Sequence, residues 1–209
     1  MATYIRAYFS IADAANVSAG IAREASDVDL VRAAQRGDRS AFGALYERYA
    51  RMVHGILLSR VPPVAVEDLV QDVFLKAMPR LGSLRDADHF GGWLAAIARN
   101  HAADFFRQSH SAQMRYEDVE QVETESTDAS GEEKTDAEFV LSAIRQLPEA
   151  YRETLILRLV EGMTGPEIAS RTGLTHGSVR VNLHRGMQQL KQILDGGAKS
   201  ALNACQSSR

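Results

Sequence analysis

The sequence predicts an all-α protein: two small helical domains joined by a flexible acidic linker. Three observations carry that expectation. Apolar residues recur every three or four positions through most of the chain, and nowhere do they alternate as a half-buried strand requires. Residues 116–138 hold ten acids against one lysine and almost no large apolar residue, so they cannot bury enough surface to fold alone. Removing that stretch takes the net charge of the remainder from −3 to +6, leaving two basic bodies. The expected organisation is an extension over 1–26, an N-terminal domain over 27–110, the acidic linker over 111–135, a C-terminal domain over 136–195 and a tail over 196–209.

The extension carries a single Arg6 before a mixed segment broken by Ser10 and Asp13, which makes a poor signal peptide. Asp27 can cap a first helix through Leu30, Val31 and Ala34 that ends at Gly37, and Ser40 a longer second one. Phe42, Leu45, Tyr49, Met52, Val53, Ile56 and Leu57 keep helical spacing up to Pro62-Pro63. A third helix over about Val64–Met78 turns Val66, Leu69, Val70, Val73, Phe74 and Ala77 inward and shows Asp68, Gln71, Asp72 and Lys76 outward. Pro79, Gly82 and the run Ser83-Leu84-Arg85-Asp86 mark a loop. The fourth helix, about His89–Gln108, presents Phe90, Trp93, Leu94, Ile97, Ala98 and Phe105, and four such helices make one bundle.

Beyond the acidic stretch, Phe139, Val140, Ile144 and Leu147 form one helix. Pro148 opens another through Tyr151, Leu155, Leu157, Leu159 and Val160, and Gly162 stops it. Thr164 and Glu167 stand in capping-box spacing with Pro166 in the first turn; Gly173 then ends this short helix in the left-handed conformation. Thr175 caps a longer helix whose stripe Val179, Leu183, Met187, Leu190 and Leu194 must face a core. At about 100° per residue, Gly177, Ser178, Val181, His184 and Arg185 point away from that stripe, with Arg180 on the flank. Two helices joined by a short glycine-containing turn are a helix-turn-helix, and a major groove about 12 Å wide admits one such helix. Between Thr164 and Leu194 four basic residues face one acid. A merely structural helix pair has no reason to be basic.

The chain has one cysteine, Cys205, hence no disulfide framework and no thiol metal site, which fits a reducing cytoplasm. Its longest apolar runs are far short of the roughly 20 residues that span a bilayer, so no membrane insertion is expected. His101 and Asp104 lie three apart on one helix, but no third ligand, phosphate loop or nucleophile motif accompanies them. The expectation is a protein with no catalytic residues, no metal and no cofactor.

The segments LPEAYRETLILRLVEGMTGPEIASRTGLTHGSVRVNLHRGMQQL and EDLVQDVFLKAMPRLGSLRDADHFGGWLAAIARNHAADFFR resemble, in order, the C-terminal and N-terminal domains of bacterial extracytoplasmic-function sigma factors. The likeness covers roughly Asp27 to Leu194. It implies a detachable promoter-specificity subunit whose partners are RNA polymerase core (β′ clamp and β flap), promoter DNA and an anti-sigma factor, serving a stress- or envelope-responsive set of genes. On that reading Asp68, Gln71, Asp72 and Phe74 dock on the clamp, with Glu67 beside them. Arg99, Asn100, Asp104 and Arg107 read and open the minus-ten element, and the loop with Ser83, Leu84 and Arg85 captures a flipped base. Trp93 shares the apolar stripe of Phe90 and Ile97, which favours core packing over base stacking. The recognition helix would contact the minus-thirty-five element through His176, Ser178, Arg180, Val181, His184 and Arg185: Arg180 a base or phosphate, Ser178 and Arg185 phosphate, Val181 a thymine methyl. The chain departs from the family's usual pattern at Ala96, His176, Val181 and Asn182, so no promoter consensus is carried over. The rival reading is a stand-alone helix-turn-helix regulator with a sensing or dimerisation bundle at its N-terminus.

Overall fold

The computed structural model describes residues 25–117 and 136–206, side chains being placed for 25–107 and 139–196; the N-terminal extension, most of the acidic stretch and the Cys205 side chain lie outside. The described residues form eight α-helices and no strand: α1 Asp27–Gln35, α2 Arg39–Leu58, α3 Pro63–Arg80, α4 Phe90–Glu117, α5 Asp136–Arg145, α6 Glu149–Leu159, α7 Gly165–Thr172 and α8 His176–Gln206. Two 3₁₀ turns, Leu81–Ser83 and Ala87–His89, join α3 to α4.

The helices are those the periodicity predicts, but their ends differ. Ser26, not Asp27, caps α1: its hydroxyl accepts from the Asp29 N–H at 3.2 Å. Asp27 instead accepts from Arg48 and from the Tyr49 hydroxyl, both at 2.6 Å, and so ties α1 to α2. Asp38 rather than Ser40 caps α2, accepting from the N–H groups of Ser40 and Ala41 at 2.9 and 3.1 Å. A carboxylate is the better acceptor for two converging donors. Pro63 sits at the start of α3, where a missing N–H costs nothing, and Pro79 falls near its end. α4 runs to Glu117, past the expected stop at Gln108 and into the stretch read as linker; α8 likewise runs beyond 195.

The N-terminal bundle packs α1–α4 around fully buried Leu45, Met52, Ile56, Leu57, Phe90 and Leu94. In the C-terminal body the expected α8 stripe needs one correction. Met187 is 44% exposed, because Gly186 takes the inward place and lies flush on Tyr151 and Leu155 of α6. Leu159 and Val160, through which the helix is expected to run, are half exposed at the end of α6. Conversely Thr154, Leu155, Ile156 and Leu157 are all buried, four consecutive residues that span every side of a helix. One side of α6 meets α8; the other rests on α2 of the N-terminal bundle. The two halves share one continuous core.

Candidate nucleic-acid interface

The helix-turn-helix is built by its caps. Thr164 accepts from the Glu167 N–H at 3.4 Å while the Glu167 carboxylate accepts from the Thr164 N–H at 2.7 Å, completing the capping box. Those hydrogen bonds, first from the Thr164 backbone, hold the Glu167 carboxyl below its ordinary range. Gly173 closes α7 at φ 76°, a conformation that side chains with a Cβ rarely adopt. Thr175 then accepts from the Ser178 N–H at 3.1 Å and caps α8. Val179, 1% exposed, is buried on the body's core with Ile168 and Ala169. This orientation leaves His176, Ser178, Arg180, Val181, His184 and Arg185 all exposed on the outer side of the first two and a half turns. The Ser178 hydroxyl is already 2.8 Å from that of Thr175, so it serves the cap as well as any outside partner.

On the N-terminal body the expected residues separate into groups. Asn100, Asp104 and Arg107, at spacings of four and three, share one accessible face of α4, where Arg107 pairs with Asp104 and holds that carboxyl below its usual range. Ser83 and Arg85 are exposed in the loop before α4, whereas Leu84 is half-buried against the core. Gln35 of α1 donates to the carbonyls of Leu81 and Leu84 at 3.1 and 2.8 Å and pins this loop from outside. Trp93 is half-buried with its ring 5.8 Å from Phe90, the core placement expected.

Arg99 does not join the Asn100 face. It turns to the C-terminal body and grips Glu153 of α6 with two hydrogen bonds, Nη2 to Oε1 at 2.7 Å and Nε to Oε2 at 3.2 Å. Arg60 holds the same carboxylate at 2.7 Å and also pairs with Glu149. Burial by itself would push the Glu153 carboxyl up, but the hydrogen bonds and charges of Arg99 and Arg60 outweigh it and hold it below its ordinary value.

Of the residues expected to dock on polymerase, Asp68 and Asp72 are exposed and Gln71 half-exposed on one side of α3. Phe74 is not on that surface. It is 3% exposed, with its ring 4.7 Å from Tyr46 and 6.3 Å from Phe42, because its position falls on the apolar stripe of α3. His101, 7% exposed, turns away from Asp104: its Nδ1 accepts from the Lys76 ammonium at 2.6 Å and its Nε2 lies 3.4 Å from Asp72. The described residues gather no group of three or more His, Cys, Asp or Glu suited to a metal ion.

Sequence reasoning missed Gln35, Arg60 and Glu153. The last had a signal: a carboxylate directly before Thr154-Leu155-Ile156-Leu157 must be buried beside them, and a buried carboxylate demands cations.

A basic helix-turn-helix facing outward, packed on a second helical body with an accessible polar face on α4, defines the helix-turn-helix class of DNA-binding proteins. Two family descriptions match the chain: "Sigma-70 region 2" over residues 45–111 and "Sigma-70, region 4" over 140–190. It is 33% identical over 181 residues to the ECF RNA polymerase sigma factor BldN of Streptomyces coelicolor, covering 82% of this chain and 67% of that one. To the RNA polymerase sigma factor CarQ of Myxococcus xanthus it is 32% identical over 160 residues, covering 76% and 91%. The solved structure of CnrH in complex with the cytosolic domain of CnrY superposes with a TM-score of 0.54 at 27% identity, covering 81% of this chain and 97% of that one. The chain belongs to the extracytoplasmic-function sigma factors of the sigma-70 family, and it is an RNA polymerase sigma factor. The stand-alone regulator is not favoured, since both sigma regions occur in order. Among the described residues no helix is long and apolar enough to cross a membrane.

Proposed function

We propose that this chain binds RNA polymerase core and directs it to promoters by a division of labour between its two bodies. The α3 face with Asp68, Gln71 and Asp72 takes the β′ clamp, and the C-terminal body takes the β flap. α8 enters the minus-thirty-five major groove, where Arg180 and Val181 meet bases and Ser178 and Arg185 meet phosphate, with His176 and His184 alongside. Asn100, Asp104 and Arg107, joined by Arg99 and by the loop of Ser83, Leu84 and Arg85, engage the minus-ten strand. A base already unpairing there is cheap to extrude. The protein does its work in the cytoplasm, has no catalytic chemistry of its own, and divides into domains over 27–110 and 136–195. An anti-sigma factor that clasps the two bodies completes the system; the structural relative was solved with a second polypeptide.

The single observation that carries this reading is the exposure of the six α8 side chains beside a buried Val179. Run-off transcription with purified core polymerase tests it. Promoter-specific product should depend on the added chain, and an unchanged product pattern would refute the proposal.

A further inference from the structure

A histidine buried in a helical bundle is costly unless its ring nitrogens find partners, and an aliphatic side chain of similar size would fill the space with no such demand. His101 of α4 is buried, and its partners are two residues of α3 one helical turn apart. The Lys76 ammonium donates to Nδ1 at 2.6 Å, and the Asp72 carboxylate stands 3.4 Å from Nε2. Because Nδ1 accepts from an ammonium, the ring is neutral and carries its proton on Nε2, directed at Asp72.

Lys76 is the unusual member of this group. A lysine on a helix surface ordinarily lies in water, and its favoured helical partner is a carboxylate four residues before it. Asp72 occupies that position, in the order, acid first, that stabilises such a pair. Yet the two do not pair. Lys76 is half-buried and turned to His101, and among the described residues the His101 ring is the only basic group within ion-pair distance of Asp72. Asp104, one turn beyond His101 on α4, attracts Lys76 from the same inner side but accepts its own hydrogen bond from Arg107. The outer side of α3 is left with one sign of charge: Glu67, Asp68 and Asp72 are all exposed there. An ammonium released from His101 would swing back over Asp72 and cancel part of it.

We propose that His101 is a positioning residue for polymerase docking: by drawing the Lys76 ammonium off the outer side of α3, it leaves the Asp72 carboxylate free for a cationic surface on core polymerase. Its place in transcription rests on the α3 docking face proposed above. His101 itself is enclosed in the bundle and acts only through Lys76 and Asp72.

A cycle of substitutions in the full chain, read by titration with purified core polymerase, tests this. Asp72→Asn sets the scale, since it removes the docking charge outright. His101→Leu, apolar and of similar volume, should release Lys76 and raise the half-saturation concentration about two- to fivefold, the range of one exposed ion pair. Lys76→Met alone should leave that concentration near the wild-type value, because the ammonium is already withdrawn. Adding Lys76→Met to His101→Leu should restore wild-type binding, which no repair of packing would explain. His101→Met makes the same two predictions should the branched leucine disturb the bundle; helical circular dichroism and the urea midpoint check that each variant is folded. Weakened binding that Lys76→Met fails to restore overturns the positioning role and makes His101 a packing residue. Unchanged binding in His101→Leu, with Asp72→Asn still impaired, overturns it while the docking face stands. If Asp72→Asn binds core as tightly as wild type, the docking face itself is wrong and the role of His101 falls with it.

Discussion

The N-terminal and C-terminal bodies are both four-helix units, yet they bury their apolar surface differently. In the N-terminal bundle α1–α4 pack on one another, and Leu45, Met52, Ile56 and Leu94 are fully buried, with α2 and α4 also covered by the C-terminal body. The C-terminal body has no core of its own around α6, whose Thr154–Leu157 run is covered by α8 on one side and by its neighbour's α2 on the other. A body that completes its core on another one draws part of its stability from that contact.

Core truncation gives the largest test of that contrast. Leu45→Ala should cost about 2–5 kcal/mol, read as a lower urea midpoint of the N-terminal transition. Gly91→Ala, whose methyl would meet the Arg171 backbone of α7, should by contrast leave that transition in place and lower the midpoint of the C-terminal body alone. A single shared transition shifted equally by both changes would erase the distinction.

Next in size is Arg180→Ala, which acts on the exposed side of the C-terminal body and not on its packing. Specific promoter binding should weaken by about 1–3 kcal/mol if Arg180 reads a base, with no change in the unfolding midpoint. Equal loss on all sequences assigns it to phosphate instead. Thr164→Ala should cost about 0.5–2 kcal/mol, because it removes the hydroxyl side of the capping box, and the C-terminal transition should register it.

The elements themselves were legible because each rests on local chemistry. The capping box of Thr164 and Glu167, the left-handed Gly173 and the outward set on α8 need only spacing and residue type. What was illegible depends on partners far along the chain. Arg99 reads as a surface residue of α4, and only the arrival of Glu153, 54 positions later, turns it inward. Gly186 outranks Met187 for the inward position because α6 approaches too closely for a side chain, which the periodicity of α8 alone does not reveal. Phe74 shows the opposite error: its helical phase already placed it inside, and the family likeness drew it to the surface.

The smallest effect separates the two bodies by pH. His54 of α2 faces Glu161 at the end of α6, with Glu67 of α3 nearby and Arg51 3.9 Å from the same carboxylate. The hydrogen bond that His54 donates to the Glu161 carboxylate raises the His54 pKa above 6.5 against the opposing effect of burial. The folded chain thus holds a proton that the unfolded one releases. That contribution is fully present below pH 6.5 and is lost as pH rises through the raised value. Glu153 has the opposite sign: its depressed carboxyl contributes above the ordinary value of 4.5, and the contribution is lost as pH falls through the lowered one. The contact between the two bodies is therefore strongest between these limits, on the mildly acidic side of neutrality. Scattering from about pH 6 to pH 8 should show wild type loosening as His54 deprotonates, and His54→Gln should flatten that slope while leaving the urea midpoint of the N-terminal bundle nearly unmoved. A variant as pH-sensitive as wild type would move the titration away from His54, and Glu153, whose carboxyl is held below 4.5, could not take its place in that range.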